Sequence, residues 1–151
     1  MHAPTTILML ALGTLTTAQS CGGSIRCPNN RDIAIRLADA DPKNDANIVD
    51  INAGFAIDSI DVQRRFRDGE RIACFKVNGG GVCAFLEKTG DGLTGDKIKE
   101  IAGLISAAGC AACGSVPISR ASGQEGRSGI LKFDFTTRTC LNEGRGDVQL
   151  C

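Results

Sequence analysis

The sequence predicts a small disulfide-stapled α+β domain that is exported from the cell. Three observations carry that prediction. Eight cysteines, an even number, stand in a chain of 151 residues behind an apolar leader, which reads as a disulfide framework for an oxidising compartment. The run Thr94–Pro117 joins an amphipathic helix to a Cys-x-x-Cys turn. Ahead of it, two β-rich runs flank Asn78-Gly79-Gly80-Gly81, the pattern of a hairpin.

Residues 1–20 read as a signal peptide. They hold no Asp, Glu, Lys or Arg, and Ile7–Leu15 is an apolar stretch too short to span a bilayer. Ala18 and Ser20 are small residues at the −3 and −1 positions for cleavage before Cys21. Ser20-Cys21 also invites a lipoprotein reading, which Ala18 and Gln19 fit poorly. The expected mature chain of 131 residues suits one domain. It holds all eight cysteines and six phenylalanines but no Trp or Tyr, so four bridges would offset a thin aromatic core.

The elements follow in order. Cys21–Asn30 is a Gly-, Pro- and Asn-bearing arm anchored by Cys21 and Cys27. Arg31–Ala40 is ambiguous: Ile33, Ile35 and Leu37 alternate as in a strand, while Ile33 and Leu37 also fit a helix. Pro42–Asn47 is a polar loop. Ile48, Ile51 and Phe55 predict a helix that ends near Ile60–Arg67, with Arg64, Arg65 and Arg67 in its last turns. Arg71–Val77 and Val82–Glu87 are the hairpin strands. Thr94 or Asp96 can cap the next helix, whose stripe is Ile98, Ile101, Ala102, Ile105 and Ala108, and Gly109 stands where a left-handed terminator belongs. Val116–Ser119 is a short strand. Ile130–Thr137 alternates as a half-buried strand, and Leu141–Cys151 is a polar tail.

Composition excludes several functions. Seventeen basic and seventeen acidic residues leave no net charge, which argues against nucleic-acid binding and membrane lysis. The single histidine is His2, in the leader, so no Ser-His or Cys-His pair can form and no catalytic residue is assigned. Nothing points to a cofactor or a metal. Cys110-x-x-Cys113 follows a helix C-terminus, where the dipole raises a thiol pKa, so bridging is expected rather than redox chemistry. Arg145-Gly146-Asp147 matches an integrin-type tripeptide too short to carry weight. Arg71 and Lys76 by the hairpin and Lys132 on the late strand are either a charged guard on a sheet edge or a binding face for an acidic channel mouth or receptor.

Five pieces in this order resemble the KP4 killer toxin family: Cys21-Gly22-Gly23-Ser24 with Cys27; Gly69-Glu70-Arg71-Ile72-Ala73-Cys74; Gly81-Val82-Cys83-Ala84-Phe85-Leu86; Gly109-Cys110-Ala111-Ala112-Cys113-Gly114-Ser115-Val116-Pro117; and Gly129-Ile130-Leu131-Lys132-Phe133 leading to Cys140. The resemblance implies an α+β sandwich, with an antiparallel sheet of about five strands and two antiparallel helices on one side. It spans a domain at 21–140 and leaves 141–151 as a tail tied back by a disulfide. It implies a secreted, monomeric, non-enzymatic inhibitor of growth. The implied partner is a target-cell surface protein, a calcium channel, without membrane insertion. The alternative is a non-toxic extracellular binding or structural protein on the same scaffold.

The resemblance also implies bridges Cys21–Cys110, Cys27–Cys113 and Cys74–Cys140. Cys83, lacking its usual partner, is assigned to Cys151 by elimination. The chain departs from the toxin in its neutral charge and in a longer segment between Cys27 and Cys74. It also carries Ile72 where the toxin has a surface lysine tied to activity, and alternation sets Arg71 on the opposite face.

Overall fold

A computed structural model describes residues 19–29, 31–38, 57–140 and 148–151. Residues 1–18 of the expected leader, the Pro42–Asn47 loop, the first part of the helix expected from Ile48, and Arg145-Gly146-Asp147 lie outside the described residues. In chain order come helix α1 (Arg31–Ala38), a 3-10 turn (Ile57–Ser59), strands β1 (Arg65–Phe66), β2 (Arg71–Val77), β3 (Gly80–Glu87) and β4 (Leu93–Thr94), helix α2 (Gly95–Ala107), β5 (Gly114–Pro117), a second 3-10 turn (Ile118–Arg120), β6 (Ile130–Thr136) and β7 (Val148–Leu150).

Five strands form one antiparallel sheet in the order β5-β6-β3-β2-β7. The hairpin turn is tighter than the glycine run suggests. β3 already starts at Gly80, so Asn78-Gly79 makes the turn, with Gly79 at φ 78°. Register sorts the side chains by face. Val82, Ala84 and Leu86 of β3 and Leu131 and Phe133 of β6 are fully buried on the inner face. There they meet Ile98, Ile101, Ala102 and Ile105 of α2 and Ile33 and Leu37 of α1. The stripe on α2 is the predicted one except at its end, because Ala108 is exposed. Gly109 closes the helix at φ 76°, donating its N–H to Ser106 O at 2.8 Å.

The predicted fold class needs correction. Besides the five-stranded sheet there is a second, two-stranded one, in which β1 pairs antiparallel with β4. Of the two helices assigned from the sequence, only α2 is found among the described residues. Residues 57–66, expected to be helical, form a 3-10 turn, a hydrogen-bonded turn at Asp61 and strand β1. The cause is tertiary. Phe66 reaches the core with none of its surface exposed, and its strand is held by Leu93 and Thr94. A Cβ on Gly95 would stand 2.1 Å from Asp61 O, so a glycine lets the turn sit directly on the start of α2. The ambiguous run resolves as the short helix α1, which packs on α2 and β2. The fold is therefore sheet-rich, with one long helix.

Two bridges lace the N-terminal arm to the end of α2: Cys21–Cys110 and Cys27–Cys113, across 89 and 86 residues. The other two differ from the Cys74–Cys140 bridge the resemblance implies and from the Cys83–Cys151 bridge assigned by elimination. Cys74 is joined to Cys83 rather than to Cys140, and Cys140 to Cys151, which leaves no Cys83–Cys151 bridge. Register explains the difference. Cys74 and Cys83 lie directly opposite each other in the hairpin, with Cα atoms 4.0 Å apart. β7 pairs with β2, and Cys151 N–H donates to Ile72 O at 3.0 Å just past that strand. Cys140 reaches Cys151 there with a Cα separation of 5.5 Å.

Candidate binding face on the sheet

The outer face of the sheet is built by a one-residue irregularity. Arg71 pairs with Phe85 and Ala73 with Ala84, so Ile72 is an extra residue in β2. Such a bulge shifts the alternation by one. Without it, Arg71 would share the inward parity of Ala73 and Phe75. With it, Ile72 is buried in the core at 1 % exposure and Arg71 shares the outer face with Cys74 and Lys76. The expectation that Arg71 points away from that surface is corrected for this reason.

Across the strands, Arg71, Phe85 and Lys132 form one row. The Phe85 ring lies between the two cations, with the Arg71 guanidinium carbon 5.4 Å and Lys132 Nζ 5.9 Å from its centroid. The cations differ in what neutralises them. Lys132 is ion-paired to Asp134 at 3.0 Å and to Glu87 at 3.4 Å. Burial works against its charge, and the bonds and fields of Asp134 and Glu87 outweigh that, so the ammonium sits above the ordinary lysine value. Arg71 has no carboxylate partner among the described residues. It donates to Gly69 O, and through Nε to Arg138 O at 3.2 Å, bonds that orient the guanidinium without cancelling its charge.

Lys76 is exposed, pairs in register with Gly81 and makes no ion pair among the described residues. It lies about 14 Å along the sheet from the Arg71 row, at about 3.4 Å per residue. The three predicted residues thus share a face, but only Arg71 and Lys132 come together, and of these two it is Arg71 that no carboxylate among the described residues neutralises. Phe85 as their platform and Asp134 and Glu87 as the groups that silence Lys132 escaped the sequence reading. A count of charges at alternate positions of β3 and β6 could have found the carboxylates.

Two sulfur groupings bring ligand-type atoms within 4.8 Å of one another: Cys74, Cys140 and Cys151 on the outer face, and Cys27, Cys113 and Asp134 at the staple. Every cysteine in them is bridged, so none offers the thiolate that a metal or a nucleophilic reaction needs. No helix among the described residues is long and apolar enough to cross a membrane.

The model of one protein family, Kp4, matches residues 6–137 of the chain. No curated protein matches it.

Proposed function

The chain belongs to the Kp4 family, and from that premise we propose that it is a secreted killer-toxin-like protein that inhibits the growth of competing or host cells by binding a surface protein of the target, a calcium channel, through the outer face of its sheet. The observation that carries this reading is the bulge at Ile72, which turns an arginine with no carboxylate partner among the described residues onto the solvent side of the sheet beside an aromatic ring. An acidic channel mouth offers the complement to a preorganised guanidinium, and electrostatic complementarity of this kind sets encounter and register. Action by binding fits a chain whose one histidine is His2.

The test is a growth assay. Purified oxidised protein is applied to sensitive cells with and without added calcium. Growth arrest that calcium relieves is the expected result, and full growth at micromolar protein rejects it. A second reading, a non-toxic extracellular binding protein, draws on the absence of net charge and the silenced Lys132. It predicts full growth in that assay.

A further inference from the structure

We propose that the leader is removed between Ala18 and Gln19, so that Gln19 and Ser20 belong to the mature domain; this rests on the reading of the chain as secreted. Two sites satisfy the small-residue rule. Cleavage before Cys21 uses Ala18 and Ser20, and cleavage before Gln19 uses Thr16 and Ala18. The fold separates them.

Ser20 is an integral part of the sheet. Its N–H donates to Ser115 O at 3.1 Å, and its carbonyl accepts from Ser115 N–H at 2.7 Å. β5 is the edge strand of the five-stranded sheet, so this pairing covers the outward-facing backbone N–H and C=O of Ser115. Ser20 Oγ accepts from Gly22 N–H at 3.1 Å, setting the turn into the Cys21–Cys110 bridge. The partner strand is shaped to receive it: a Cβ on Gly114 would stand 2.9 Å from Ser20 O. Gln19 adds a contact of its own, donating Nε2–H to Leu104 O near the end of α2. That helix has no basic residue in its last turn, and the new α-ammonium of Gln19 lies within a side chain's length of its negative end.

The reaction is a peptide hydrolysis by a leader-cleaving endopeptidase of the secretory route. Water adds across the Ala18–Gln19 bond, the carboxylate leaves on Ala18 with the leader, and the ammonium stays on Gln19. Cleavage before Cys21 would instead discard both Ser115 bonds and open the β5 edge.

The experiment expresses the full Met1–Cys151 chain in a secreting eukaryotic host and measures the intact mass and N-terminal fragments of the protein in the medium. A chain beginning at Gln19 is expected, either as free glutamine or lighter by one ammonia through ring closure of that residue. A chain beginning at Cys21 overturns the inference while leaving secretion intact. A chain that stays in the cell with its leader defeats the secretion reading and this inference with it. A version made to begin at Cys21 and folded in vitro gives a second check. Its Ser115 amide should exchange with deuterium at least about fivefold faster than in the secreted form, and equal protection would overturn the structural role given to Ser20.

Discussion

The arm laced to the end of α2 and the outer face of the sheet are both built on cysteines, yet they do different work. At the arm, bridges join residues 86 and 89 positions apart, and they fix where the N-terminus lies against the helix. On the outer face, the bridges span 9 and 11 positions, and strand pairing already sets Cys74 opposite Cys83 and places Cys151 at the end of β7 beside β2. The first region decides whether the domain holds together. The second is a surface whose geometry the sheet supplies, with the bridges as local reinforcement. Changes at the arm should therefore appear as lost stability, and changes on the outer face as lost activity.

The largest expected effect comes from the staple. Replacing Cys21, Cys27, Cys110 and Cys113 together by Ala removes both arm bridges and releases a loop of 89 residues, and the chain-entropy estimate for one loop of that size is about 4.5 kcal/mol. Cys74→Ala with Cys83→Ala opens a loop of only 9, for about 2.5 kcal/mol on the same estimate. Denaturant unfolding of the two variants measures the gap directly. Equal losses would break the distinction between the regions.

Gly114→Ala is a smaller probe of the same staple. Its Cβ would meet Ser20 O at 2.9 Å, Cys110 Sγ at 3.0 Å and Ile105 Cγ2 at 3.1 Å, so overpacking should cost about 1–3 kcal/mol. Gly103→Ala, where a Cβ meets nothing within 4 Å, is the control and should not destabilise.

Smaller still is a pH effect at the turn behind the sheet. Asp68 accepts hydrogen bonds from the Thr89 hydroxyl and the Thr89 N–H. The side-chain bond from Thr89 leads in pulling its pKa below 3.8, against burial, which raises it, with backbone N–H groups adding to the pull. A carboxylate with a depressed folded-state pKa stabilises the protein above its unfolded pKa and loses that contribution as pH falls through the folded value. Asp68→Asn should therefore lower the unfolding midpoint near neutrality and flatten its fall below pH 3.8, so that the variant and the unaltered protein converge in acid. An unchanged acid limb would contradict this.

Legibility in the sequence followed the same division. Helix α2 and strand β6 could be read because their patterns are intrinsic: Ile98, Ile101, Ala102 and Ile105 recur at helical spacing, and Leu131 and Phe133 alternate with Lys132 and Asp134. Glycine 109 marked the helix end for a reason visible in its chemistry. Residues 57–66 could not be read, because Ile57, Ile60 and Phe66 are all buried, as a helix face would be, and only the partner strand β4 makes the segment extended. β7 was missed because Val148–Leu150 is too short to show a period and owes its form to pairing with β2.

The candidate face was half legible. Arg71, Lys76 and Lys132 could be named from their residue types. Which way Arg71 points could not, because it depends on the extra residue at Ile72, and a bulge is a property of two strands together. The pairing of Cys74 and Cys83 was hidden for the same reason.

The central claim is that activity resides in the uncompensated cation that this bulge turns outward. Arg71→Gln and Lys132→Gln, each verified as folded by its unfolding midpoint, should be compared in the growth assay with the unaltered protein. Loss of one partner of a desolvated charge contact typically costs 2–5 kcal/mol, so Arg71→Gln should lower potency by more than about tenfold, while Lys132→Gln, already neutralised by Asp134 and Glu87, should change it by less than about threefold. Full potency in the Arg71 variant, or an equal loss in both, would contradict the account.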